Sequence, residues 1–364
     1  MRGVSMVDPN SSLNEELAAE IQIGLDQDAD DIERDQSTIR DLVADLQETN
    51  LKQSIPAFDE TTTIAAVSSH SRSRPAFASI LNGTAAVSVR IELNDTTIHD
   101  LSSNARTQIE LLDFIDASKQ GRWLERELLF DLVTEELQRD TDIILVDQPL
   151  TITRQEFLTR KDSPVWDEWL EMKQEQSTFW ETYHESLQPW TPDGSCLVGW
   201  TRPRGSLLFT ALEHGTVSDF VRSVDAELTS IVQENAETVE QIGPHRILNE
   251  LLDANSRTLA YPYELTELDT RWEPKSLRNL GIQGLFCRFQ STDSFAHLEI
   301  PGSADQWDRD RITDISQQLN ATTWLNKATI PLPLWYCGKE CEFPDGVLDS
   351  YYGKLKQEIN NDNT

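Results

Sequence analysis

The sequence predicts an α/β fold, a sheet flanked by helices, on three observations. Residues 122–138 carry Leu124, Leu128, Leu129, Leu132 and Val133 on one broad face at helical spacing. Directly after them, Asp142 to Asp147 is a short block of Ile, Leu and Val, which reads as a buried strand closed by the Gln148-Pro149 turn. Earlier, Thr61 to Val67 and Ala85 to Leu93 read as a hairpin that opens the sheet, the second run alternating through Val87, Val89, Ile91 and Leu93.

The remaining elements follow in order. Residues 1–58 form an acidic helical extension, with Leu17, Ile21 and Leu25, then Ile39, Leu42, Val43 and Leu46, at helical intervals on either side of the run DQDADDIERDQ. Residues 59–364 make the main domain, with a helical insertion around 160–275. Within it, SSHSRSRP reads as a polar turn holding Arg72 and Arg74, and residues 101–120 as a polar helix or loop. A helix is expected over 164–187, with Ser163 as N-cap and Pro164 at the first position. Its tryptophans, Trp166, Trp169 and Trp180 with Trp190 just beyond, read as core rather than as base-stacking platforms. The stretch 195–209 reads as a strand leading into a loop with Arg202 and Arg204, and 216–256 as helical. A strand pair at 284–290 and 294–300, a helix at 305–319, the proline-spaced IPLPLWYC and a helix at 346–359 complete the chain.

Charge narrows the function classes. The chain has 63 Asp and Glu against 31 basic residues, of which only 9 are Lys, for a net charge of −32. Such a surface suits a protein from a halophilic source, where salt screens charge over a few Å and dense carboxylates hold a hydrated shell; the rival reading is an acidic partner-binding face in an ordinary cytosol. It argues against a broad basic nucleic-acid footprint, so any nucleic-acid contact must rest on a local Arg cluster. Cys196, Cys287, Cys337 and Cys341 lack the spacing of a disulfide framework or a zinc site and read as packed thiols. No apolar leader or membrane-length run is present, which points to the cytoplasm.

Two carboxylates stand out. Glu125 falls in the middle of the apolar helix face, where a charge is expensive unless a cation or donors meet it, while Glu127 points away. Asp147 ends the following strand, where open α/β sheets bind ligands, so the pair is placed to share one divalent ion. The competing reading has Glu125 reaching the helix edge and Asp147 capping a turn.

Several separated stretches resemble the NurA nuclease family: IAAVSS as first strand and turn, ERELL…ILVDQPL as helix and strand, LVGWTRPRG as a strand ending in a basic loop, FCRFQSTDSFAHLEIP as a late hairpin, and IPLPLWYC as a terminal motif. The resemblance covers the chain from about residue 60 onward, and order and spacing carry it. It implies an RNase H-like mixed sheet and a nuclease site using manganese, with magnesium an alternative. It also implies a homodimer seated on a HerA-like hexameric DNA-translocating ATPase. Arg72, Arg74, Arg202 and Arg204, in the loops after two strands, are candidate contacts to DNA phosphate, a solvated basic turn being the competing reading of the first two. The helix Glu of the family falls on Glu125, with Glu127 the alternative, and the strand Asp on Asp147. Three positions depart: the first-strand Asp is Ser68, the motif Tyr is Ile330, and the motif His is Gly338. Tyr336 or His70 are candidate stand-ins. Because a hydroxyl is a poor replacement for an anionic ligand, two functions are expected to compete. One is a DNA-end-processing nuclease acting in repair; the other is a catalytically degenerate scaffold or DNA clamp.

Overall fold

The computed structural model describes residues 36–362 apart from 95–96, 115, 151–165, 187–190, 192–193, 202–204, 214–225, 263–275, 277–279, 290–294, 304–305, 327–329 and 345. Helix α1 (36–47) and strand β1 (Lys52–Ser54) lead into three long strands, β2 (Thr61–Ala76), β3 (Ser79–Asn94) and β4 (Thr97–Asp113). Helix α2 (Ala117–Leu137), β5 (Ile143–Val146), α3 (Trp166–Ser186) and β6 (Cys196–Thr201) follow. Four short helices come next: α4 (Gly205–Glu213), α5 (Ala226–Glu234), α6 (Ala236–Ile242) and α7 (Pro244–Leu251). The remainder is β7 (Ser256–Thr258), β8 (Tyr261–Pro262), β9 (Ile282–Arg288), β10 (Ala296–Pro301), α8 (Arg309–Asn326), α9 (Leu332–Glu340) and α10 (Val347–Asp362).

Among the described residues all strands join one mixed sheet in the order β1-β7-β9-β10-β6-β5-β2-β3-β4, with β8 beside β9. β2, β3 and β4 form an antiparallel meander, β5 runs parallel to β2, and β6 parallel to β5. A three-stranded meander extended by parallel strands on the free side of its first strand is the RNase H-like arrangement the sequence led us to expect. The parallel step requires a crossover, which α2 supplies by packing back on β2 and β3.

Side-chain alternation on β2 divides the core into two layers. Ile64 and Ala66 face a cluster that includes Ile312, Ile315 and Leu319 of α8 and Leu334 and Cys337 of α9. Val67 faces the other way, onto Leu128, Leu129, Leu132 and Val133 of α2, so α2 and α9 cover opposite faces. Each fully buried aliphatic side chain there contributes about 1.5–3 kcal/mol. The outer side of α2 meets α3, where Trp180 is fully buried and Phe130, Phe179 and Tyr183 pack edge-on or stacked about it. Trp169 is likewise buried against Trp123, as expected of core tryptophans, whereas Trp190 lies outside the described residues. Ile39, Leu42, Val43 and Leu46 of α1 bury against α4 to α7, and β1 pairs with β7, so residues 36–54 are built into the same sheet and core.

Three local expectations are corrected. The polar stretch SSHSRSRP is strand, not turn: β2 continues to Ala76 and the hairpin reverses at Phe77 and Ala78 alone. Full pairing with β3 satisfies its backbone, which leaves the side chains free to be polar. Residues 97–113, expected as helix or loop for most of their length, form β4, an edge strand exposed on both faces and therefore without apolar alternation. Residues 205–209, expected as the loop after a strand, instead open the helix α4. Among the described residues no helix is long and apolar enough to cross a membrane.

Candidate functional site

The parallel register of β2 and β5 builds the site. Val67 lies opposite Val146, and the amide of Asp147 donates to the Val67 carbonyl at 3.0 Å, so the next residue on each strand must be a neighbour of the other. Those residues are Ser68 and Asp147. The Ser68 hydroxyl donates to Asp147 Oδ2 at 3.0 Å. Both lie on the face covered by α9, where Cys341 Sγ approaches Ser68 Oγ at 3.4 Å and Cys337 Sγ approaches the Ala66 carbonyl at 2.9 Å.

Around this pair is a cleft of about 450 Å³, lined further by Ser69, His70, Arg72, Gly338, Glu342 and Phe343. Its floor is the even-numbered face of β2, which brings His70 and Arg72 alongside Asp147. Arg74, next on that face, is held by α10, paired with Asp349 and lying 4.5 Å over the Tyr352 ring. Gly338 forms part of the wall, and a Cβ added there would meet nothing within 4 Å. The position where the resemblance expects His is therefore open space. Tyr336 instead packs against the core cluster, Ile330 is half-buried, and neither lines the cleft.

Of the two helix carboxylates, Glu125 is half-buried and Glu127 exposed toward α3. Arg126, between them, is buried and donates to the carbonyls of Pro149 and Leu150 at 3.3 and 2.9 Å, anchoring this turn of α2 to the chain leaving β5. Neither Glu125 nor Glu127 is among the residues lining the Asp147 cleft. Arg202 and Arg204 lie outside the described residues. Sequence reasoning missed two buried charged residues on α2, Arg126 and Glu136. Glu136 accepts from Ser88 Oγ at 3.0 Å and pairs with Arg139 at 3.1 Å. Its spacing from Leu129 and Leu132 places it on the apolar face just as Glu125's does, so the helical wheel contained the signal.

The donor set does not fit a resident divalent ion. A hard cation draws its affinity from several converging carboxylates, whereas beside Asp147 stand a hydroxyl already donated to it and a thiol; Glu342 and His70 also line the cleft but do not gather with Asp147 around one point. Among the described residues no three His, Cys, Asp or Glu side chains stand together as a metal site. Asp147 is open to solvent on its outer side, yet the cleft walls displace enough of its hydration to raise its pKa, an effect that the Ser68 hydrogen bond opposes.

This shift predicts a pH signature. The folded value lies above the unfolded one of about 3.9, so as pH rises from there the unfolded chain releases a proton that the folded chain keeps. Stability is therefore fully present below the unfolded value and declines as pH climbs toward the folded one. Asp147→Asn, which retains an acceptor for Ser68, is expected to melt like wild type at low pH and above it at neutral pH. Partial exposure of Asp147 keeps the difference small. Parallel pH profiles of Tm test this, and a variant less stable at neutral pH contradicts it.

Neither a family model nor a curated protein sequence matches the chain. Among solved structures, the NurA nuclease from Sulfolobus solfataricus matches at a TM-score of 0.51 and 12% identity, covering 95% of this chain and 98% of that one. A second NurA structure matches at 0.43 and 11%, covering 96% and 97%, and NurA with manganese at 0.42 and 11%, covering 91% and 97%. At such identities the likeness is one of fold, and it rests on the first of these. The chain thus has a divergent NurA-like fold, with Ser68 and Asp147 side by side where the parallel pairing of β2 with β5 ends.

Proposed function

We propose that this chain is a DNA-end-holding subunit built on a nuclease fold, its hydrolytic centre degenerate. It works as a homodimer beside a HerA-like hexameric DNA-translocating ATPase in DNA repair, in the cytoplasm of a halophile. The observation that carries the reading is the Ser68–Asp147 hydrogen bond in a cleft that Gly338 leaves open. In a metal nuclease the ion lowers the pKa of bound water and spreads the charge developing on the phosphate. One partly desolvated carboxylate does neither. What remains suits binding: Arg72 and His70 line the same cleft, placed to meet backbone phosphate, and the Ser69 hydroxyl, which accepts from Gln148 Nε2, can donate to it.

The test is a paired assay of wild type and Asp147→Ala on single-stranded and duplex ends, in high salt with manganese. Retention of DNA by both proteins without cleavage is the expected result. Manganese-dependent cleavage by wild type, abolished in Asp147→Ala, would establish the nuclease reading instead. Absence of DNA binding by folded wild type overturns the end-holding role.

A further inference from the structure

A groove separate from the Asp147 cleft runs between α2 and α3, bounded at one end by β4. It comprises two adjoining cavities of about 390 and 380 Å³ that share Glu127, Met172 and Glu175. From Gln120 to Thr134 it follows α2 for roughly 20 Å, at the helical rise per residue. Glu110, Glu127, Glu171 and Glu175 line the first cavity, and Asp131, which pairs with Arg106, lines the second.

Trp123 and Gln176 each bring to this groove a buried polar atom with no hydrogen-bond partner. Trp123, 4% exposed, lines the first cavity with its indole Nε1 unpaired. Gln176, 5% exposed, lines the second; its Nε2 donates to Met172 Sδ, and its Oε1 is unpaired. One is a donor and the other an acceptor, and leaving either unsatisfied in the native state is costly.

We propose that this groove docks an extended segment of a partner protein rich in Lys and Arg. The cationic side chains meet the four glutamates, a backbone carbonyl of the segment accepts from Trp123 Nε1, and a backbone N–H donates to Gln176 Oε1. Other cationic occupants fit less well. Among the described residues the carboxylates do not gather in threes around a point, as one divalent ion needs. A linear polyamine satisfies the carboxylates but, fully protonated, has no acceptor to offer Trp123. Burial first, then the neighbouring charges of Glu175, Asp131, Glu110 and Glu171, raise the pKa of Glu127, so an arriving cation relieves an existing repulsion.

The experiment uses the full chain and a fluorescent eight-residue peptide of alternating Lys, Arg and Ser, followed by anisotropy. Glu127→Gln/Glu175→Gln is expected to weaken binding about tenfold, and Trp123→Phe about fivefold, the worth of one hydrogen bond. Melting temperatures should hold or rise in the double variant as repulsion is relieved. Glu237→Gln/Glu240→Gln, an equal charge change on exposed α6, should leave binding unchanged. Equal losses in that control would mean the peptide senses only overall charge, and the proposal falls. It falls too if folded wild type does not bind the peptide, if the groove variants bind as wild type does, or if spermidine binds while the peptide does not. Because none of these readouts involves DNA, failure here leaves the end-holding reading untouched.

Discussion

Ser68→Asp combined with Gly338→His is expected to turn the cleft into a manganese site and to raise cleavage of DNA ends well above wild type. The carboxylate introduced at 68 would stand beside Asp147, where the wild-type hydroxyl is 3.0 Å away. Two carboxylates that close cannot both stay ionised without a cation, so the metal-free variant should share a proton between them and melt below wild type at neutral pH. Manganese should reverse that. At a free concentration 100 times its dissociation constant it stabilises the folded state by about 2.7 kcal/mol, while wild type should respond much less. The Cβ of the residue introduced at 338 has no atom within 4 Å, so the helix position itself does not oppose the substitution. A positioned acid or base of this kind is typically worth about 10²- to 10⁴-fold in rate. Ser68→Asp alone should therefore bind manganese but cleave weakly, and the pair more strongly. If the double variant shows no manganese-dependent gain in Tm, the two positions do not form half of a metal site and the reading of the cleft is wrong.

Gly302→Ala is expected to give the largest loss of stability from a single methyl group. Gly302 follows β10 with φ of +134°, a region that L side chains rarely enter, and a Cβ there would lie 2.3 Å from Trp307 Nε1. Trp307 has little room to retreat. It is buried, and its Nε1 donates to the Pro301 carbonyl at 3.1 Å. The glycine backbone is held as well, its amide donating to Gly281 at 2.9 Å and its carbonyl accepting from Gln283 Nε2 at 2.9 Å. Backbone strain and overpacking each cost about 1–3 kcal/mol, so a total of roughly 2–6 kcal/mol should appear in denaturant melts. A loss below about 1 kcal/mol would mean that this turn relaxes freely.

Much of the architecture was legible because it rests on periodicity. The α2–β5 unit, the late hairpin β9–β10 and the α1 face of Ile39, Leu42, Val43 and Leu46 all bury one side, and burial leaves a repeating mark. β4 was illegible for the opposite reason: an edge strand with both faces wet has no apolar repeat, and its backbone pairing with β3 leaves no trace in residue type. The site was half legible. Ser68 and Asp147 were singled out and stand adjacent, because each follows the last parallel pair of β2 and β5. Cys341 was not, because its approach to Ser68 depends on how α9 crosses the sheet, which no local pattern encodes. Arg126 escaped because a helix covered on two sides buries more than one stripe, and Trp123 and Phe130, which share its second stripe, were not read as a face.

The cleft also has a place in folding time. Its first contact, Ser68 to Asp147, joins positions 79 residues apart, and the second, Cys341 to Ser68, spans 273. Closing loops of that size must precede any reward from the contact, so such pairings form late and slowly. During synthesis β2 emerges long before α9 can cover it, and until then Ile64 and Ala66 present an apolar strip to whatever is near. Hydrogen exchange during refolding should accordingly protect the β2–β3 ladder early and the amides of α9 last, making the cleft the final part of the molecule to acquire its shape.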